Sequence, residues 1–139
     1  MDVKLAYPNF NYCESNYNPM LEQFGEIIIQ VDDQDYQGDS RLLYKKEDMY
    51  GYLQFGWGSC SGCDALLACE TYEELQQLSD SLEQFIQWKT LQEMKDFFDK
   101  HDWEGDYSWY ESEQKLFIQK CKDYLNEQIE LANKQWLRT

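Results

Sequence analysis

The sequence has few basic residues and no long apolar run. Twelve Lys and Arg stand against 27 Asp and Glu, which gives a formal charge of −15. A field of this sign repels phosphate backbones and anionic lipid surfaces, so direct nucleic-acid binding is not expected. No window approaches the run of about 18 apolar residues that a membrane helix needs, and residues 1–10 lack an apolar signal-peptide core. We therefore expect neither membrane contact nor export.

Catalytic motifs are also missing. The chain has one histidine, His101, so a charge relay would depend entirely on it. It contains no His-x-Glu deaminase motif, no phosphate-binding loop and no dinucleotide fingerprint. Since His101 follows Lys100 at a predicted helix end, its ring is expected to interact with the last carbonyls. We predict a protein that is not an enzyme and has no resident cofactor, apart from the zinc alternative considered below.

Length, composition and cysteine count indicate one domain over residues 1–139. A hydrophobic fraction of 42% and an aromatic fraction of 17% are enough to build a core. The five cysteines are an odd number and fit no disulfide framework of a small secreted fold. Reduced thiols and a cytoplasmic location are therefore expected.

The first half of the chain is typical of an arm followed by strands. Residues 1–24 contain both prolines and are predicted to form an extended arm. Its aromatic residues are expected to pack on the domain or on a partner: Tyr7, Phe10, Tyr12 and Tyr17. Residues 25–57 have the short β-branched or alternating runs of three strands. These runs are Gly25 to Asp33, Ser40 to Lys46 and Tyr50 to Trp57, with the last two joined as a hairpin.

Residues 58–139 have helical periodicity. Two capping-box pairs, Thr71 with Glu74 and Thr90 with Glu93, each predict a helix start. The apolar stripe of the first helix is expected to include Phe85, and that of the second Phe97. A last helix is predicted from Ser112 to Trp136, after an ordered loop. The fold class is therefore α+β, a small antiparallel sheet of about three strands packed by about three helices from the C-terminal half.

The most distinctive string is Trp57-Gly58-Ser59-Cys60-Ser61-Gly62-Cys63-Asp64. Cys60 and Cys63 have the spacing of a zinc half-site, but no second motif supplies the other ligands. The same pair could act as a redox dithiol, which Asp64 would oppose by disfavouring thiolate formation. The third interpretation is structural: a tight glycine turn with small cysteines beneath Trp57.

A group of carboxylates surrounds two tryptophans in the predicted loop before the last helix. We predict that this group binds a partner through five residues: Asp102, Trp103, Glu104, Asp106 and Trp109. Aromatic residues ringed by charge are typical of binding hot spots. The alternatives are a merely solvated acidic face and ordinary core packing of the tryptophans.

Three blocks resemble small acidic proteins encoded by bacteriophages and prophages: Tyr36 to Asp39, Phe55 to Leu66 and His101 to Gly105. This resemblance implies a genomic setting and no mechanism. In that setting a small acidic protein suits the blocking of a host enzyme or defence factor, because a nucleic-acid groove is basic. The expected partner is therefore a basic protein surface of the host cell, and the expected function is inhibition by docking. A zinc or dithiol module built on Cys60 and Cys63 is the alternative.

Overall fold

The computed structural model describes residues 2–12, 14–59, 62, 64–106 and 111–138, with side chains up to residue 135. Its strands form one antiparallel sheet in the order β1-β2-β3-β4. The strands are β1 Glu26–Asp32, β2 Gly38–Lys46, β3 Met49–Trp57 and β4 Gln87–Lys89. The helices are α1 Val3–Ala6, α2 Asn18–Leu21, α3 Tyr72–Gln84, α4 Leu91–Lys100 and α5 Glu111–Arg138. The predicted α+β class is confirmed, with four strands in place of three.

The predicted hairpin forms the centre of the sheet. Strands β2 and β3 pair continuously from Gly38 opposite Trp57 to Lys46 opposite Met49. Glu47 begins the connecting turn with φ of 56°, in the left-handed region that short hairpin turns use. This long, regular pair is the platform on which the other elements pack.

The missed strand, β4, lies between the two helices whose starts were predicted. It has three residues and pairs with Tyr50–Tyr52 of β3. A segment this short shows no alternation, so only its pairing with β3 defines it as a strand. Helix α3 ends at Gln84, shortly before β4 begins at Gln87. Phe85 therefore does not continue the apolar stripe of α3 and is 65% exposed.

Both faces of the central strands are buried. Leu42, Leu43 and Tyr44 are each 0% exposed, because successive side chains of β2 enter opposite layers. The first core contains Leu42, Tyr44 and side chains of the N-terminal arm and of α3. The second core contains Leu43 and side chains of α4 and α5. The sheet is therefore the middle of three layers.

The N-terminal arm contributes to the first core and is not extended throughout, because α1 and α2 each form about one helical turn. Pro19 lies in the first turn of α2, where no backbone N–H is needed. The Tyr72 hydroxyl donates to the Tyr7 carbonyl at 2.6 Å, and Tyr44 donates to Leu21 at 2.9 Å. Tyr12 was predicted to pack with the other aromatic residues of the arm, but its side chain is 65% exposed.

The helix ends follow the predicted caps with one difference. Thr90 and Glu93 form a complete capping box at α4. At α3, Thr71 caps Glu74, but the Glu74 carboxylate accepts from the Glu70 N–H at 3.2 Å. In α5, Phe117 is buried whereas Ala132 is exposed. No helix in the described ranges is long and apolar enough to span a membrane.

Candidate protein-interaction site

Residues 101–106, which we call the acidic loop, connect α4 to the later part of the chain. The loop contains a 3-10 turn at Trp103–Gly105, and the Asp102 carboxylate caps it by accepting from the Gly105 N–H at 3.0 Å. A Cβ at Gly105 would lie 2.7 Å from Asp102 Oδ2, so a glycine is needed for this close approach. The backbone of the loop is therefore held by its own side chains.

Trp103 anchors the acidic loop to the second core. Its side chain is half-buried, and Nε1 donates to the Phe98 carbonyl at 3.0 Å. The ring meets Tyr52 edge-on at a centroid distance of 5.9 Å and lies 5.2 Å from the ring of Phe98. Such aromatic contacts each add stability beyond the area that they bury. Trp103 thus fixes the position of the loop relative to β3.

His101 closes the loop with Asp106, through a 2.8 Å contact between Nε2 and Oδ2. The predicted interaction of its ring with the last helix carbonyls is wrong. The backbone N–H of His101, and not its ring, donates to a carbonyl at the end of α4, that of Phe97, at 2.9 Å. The ring instead stacks between aromatic neighbours, 5.0 Å from Phe97 and 4.5 Å from Trp103.

Four of the five residues predicted to bind a partner therefore lie together in one turn: Asp102, Trp103, Glu104 and Asp106. The three carboxylates are exposed on the surface of the loop. Trp109, the fifth, is outside the described residues, so its role stays a prediction. Asp102, Trp103 and Asp106 also form contacts within the protein. Glu104 lies at the centre of the turn and has an exposed carboxylate.

A groove of about 550 Å³ separates the acidic loop from the edge of the sheet. We call it the loop groove. Its carboxylates are Asp39 and Asp106, and its aromatic lining comes from five rings: Tyr52, Phe55, Phe85, Phe97 and His101. Phe85 is the most exposed of these rings. The groove thus combines exposed aromatic surface with negative charge.

A hydrogen-bond chain runs from the loop groove into a buried ion pair. The Tyr52 hydroxyl donates to Gln54 Oε1 at 2.8 Å, and Gln54 Nε2 donates to Asp39 Oδ2 at 3.3 Å. Asp39 in turn lies 3.9 Å from Arg41, which donates to the buried Asp33 carboxylate at 2.8 Å. Burial raises the pKa of Tyr52, and the negative charge of Asp106 raises it further. The phenol therefore remains a hydrogen-bond donor at neutral pH.

Sequence reasoning missed the residues that the groove adds to the site. Tyr52 and Gln54 lie on β3, and nothing in the sequence links that strand to the acidic loop. Phe85 follows Leu82 at helical spacing, which favours a buried position until the end of α3 is known. Asp33 and Asp39 are linked to Arg41, which only the fold reveals.

The cysteine string is described only in part, and Cys60 and Cys63 lie outside the described residues. Their zinc and dithiol interpretations stay predictions. Within the ranges that are described, no group of three or more His, Cys, Asp or Glu could hold a metal ion. Asp64, at the end of the string, is a buried structural carboxylate: it accepts from Tyr17 at 2.9 Å and from the Gly58 N–H at 3.0 Å.

We expect Cys69 and Cys121 to resist alkylation in the native protein. Both are buried, and burial is the main cause that raises the pKa of each thiol. The thiolate is the nucleophile, so each should react with iodoacetamide at neutral pH at least about tenfold more slowly than in the unfolded chain. Peptide mass spectrometry after timed quenching measures this, with denaturant as the control. Equal rates in both states would contradict it.

Comparison with known proteins provides no relative: no family model, no curated protein and no solved structure matches this chain. The function of the protein is therefore inferred from the residues of the acidic loop and the loop groove.

Proposed function

We propose that this protein is a non-enzymatic, acidic interaction protein of the phage or prophage type. It acts in the cytoplasm by docking the acidic loop on a basic surface of a host protein. The target is a nucleic-acid-binding or defence protein, whose groove is blocked by the docked chain. The observation that carries this proposal is a loop held by its own side chains, with three exposed carboxylates within five residues.

The acidic loop is held in place before a partner binds. Binding costs less free energy when the interface does not have to be ordered first. Asp102 caps the turn and Trp103 anchors it to the core, so the exposed Glu104 stands on a backbone that is already in place.

Net charge alone does not select a docking surface. Exposed carboxylates occur on α3, α4 and α5, for example at Glu73, Asp99 and Glu127. Some of them already have a cation beside them: Lys95 pairs with Asp99, and Lys115 pairs with Glu111. In the acidic loop, Asp106 contacts the His101 ring at 2.8 Å, whereas no Lys or Arg side chain in the described residues forms an ion pair with Asp102 or Glu104. The loop therefore presents the charge that a basic groove would meet.

Reversal of one loop charge should weaken docking. We expect Glu104→Lys to lower the association rate constant about fivefold, because rim charges mainly steer encounter. Glu127→Lys, which makes the same charge change at an exposed position of α5, should change it less than about twofold. Host proteins captured at low salt are identified and purified, and their binding to each variant is then measured by surface plasmon resonance.

Two outcomes would contradict the proposal. One is an equal effect of Glu104→Lys and Glu127→Lys, since docking would then respond only to net charge. The other is binding that is unchanged between low salt and about 0.5 M salt, at which exposed charges are screened within a few ångströms. A supporting result includes displacement of a labelled nucleic acid from the purified partner by the natural protein and not by Glu104→Lys.

A further inference from the structure

We infer that the loop groove is a binding site for one arginine side chain of the partner. This inference rests on the proposed function and adds the chemistry of the contact. Three features carry it: the exposed ring of Phe85, the two carboxylates Asp39 and Asp106, and the aromatic wall made by Phe97 and His101.

The charge around the groove favours a cationic occupant. The lining of the groove and the network connected to it contain the carboxylates of Asp33, Asp39 and Asp106, against two cationic side chains, Arg41 and Lys89. Arg41 is 1% exposed and is engaged with Asp33 at 2.8 Å, so it does not reach an incoming ligand. Asp39 and Asp106 have side chains that are 31% and 40% exposed, so both carboxylates can be reached from solvent.

The aromatic lining is suited to a cation as well. Lys89 Nζ already lies 5.2 Å from the centre of the Phe97 ring, which is the geometry of a cation–π contact. Phe85 is 65% exposed at the same groove, and its ring face can take a second cation. An apolar side chain fits this lining less well, because it would remove the carboxylates from water without giving them a partner.

A guanidinium matches the groove better than an ammonium does. It is planar, so it can stack on the Phe85 ring, and its five N–H donors form a fork that reaches carboxylates at its edge. It is also less strongly hydrated than the lysine ammonium, which lowers the cost of entering a partly enclosed site. Arginines are abundant in basic nucleic-acid grooves, where they contact phosphate and base edges.

The test uses a basic decapeptide with one arginine among lysines, and a counterpart with lysine at that position. Both carry the same charge, so their difference isolates the guanidinium. At low salt we expect the arginine peptide to bind the natural protein about fivefold more tightly. Phe85→Ala should weaken its binding about tenfold, as expected for a hot-spot aromatic residue, and should bring the ratio of the two affinities close to one. Two-dimensional NMR titration gives the affinities and shows whether the Gln54 side-chain amide and His101 shift.

Tyr36→Ala is the matched control, because Tyr36 is an aromatic residue 84% exposed outside the groove. It should leave both affinities and their ratio unchanged. Equal affinity of the natural protein for the two peptides, or an arginine preference that survives in Phe85→Ala, would overturn the inference. Glu104 does not line the groove, so the response to Glu104→Lys separates a failure of the arginine site from a failure of acidic docking.

Discussion

Replacement of Arg41 by methionine should lower the free energy of unfolding by about 3 to 5 kcal/mol, the cost of breaking a buried ion pair from one side. The Arg41 and Asp33 side chains are each 1% exposed, and their charged groups are 2.8 Å apart. Asp33 Oδ2 also accepts from the Asp39 N–H at 2.7 Å. Without the guanidinium, the Asp33 carboxylate loses its charged partner in a site that water does not reach.

Urea unfolding of three variants measures this effect. Lys95→Met breaks the exposed pair with Asp99 and should cost less than about 1 kcal/mol. The double variant Asp33→Asn with Arg41→Met should be more stable than Arg41→Met alone, because it leaves no buried charge. If Arg41→Met were no more destabilising than Lys95→Met, the ion pair would not contribute as the structure indicates.

Replacement of Phe98 by alanine should also cost about 3 to 5 kcal/mol, the range for removing a large aromatic side chain from a core. Phe98 is 0% exposed and its ring contacts those of Tyr52, Trp103 and Phe117 within 6 Å. The cavity left by the substitution lies directly beneath the acidic loop. Partner binding should therefore weaken together with stability.

The matched control is Phe85→Ala, which removes the same side chain at a position 65% exposed. Its effect on the free energy of unfolding should stay within about 0.5 kcal/mol. Thermal and urea unfolding distinguish the two variants directly. A similar loss of stability for both would show that the burial assigned to Phe98 or the exposure assigned to Phe85 is wrong.

Much of the fold was predictable because its signals are local. Strand β3 follows from its alternating side chains, its hairpin with β2 follows from the short connection between them, and α4 begins at the capping box of Thr90 and Glu93. Strand β4 was missed because three residues carry too little pattern, and its hydrogen bonds come from Tyr50–Tyr52, more than 30 positions earlier. The arm was assigned as extended since one-turn helices have no detectable periodicity.

The candidate site was predictable only in part, for a related reason. The sequence alone shows a cluster of carboxylates around a tryptophan, because four of the predicted residues are neighbours in the chain: Asp102, Trp103, Glu104 and Asp106. The loop groove needs Tyr52 and Phe85 as well. Tyr52 packs in the second core and Phe85 follows the end of α3, so only the fold brings them to the groove beside the acidic loop. No pairwise sequence spacing indicates such a contact.

The three-layer arrangement limits where recognition can occur. Strands β2 and β3 are covered on both sides, so neither flat surface of the sheet remains to receive another molecule. A partner that contacts the sheet itself must approach along the border, where strands end and connecting segments emerge. The acidic loop lies on this border, beside the edge formed by β3 and β4. Substitutions at the border could thus change binding specificity while the layers stay as they are.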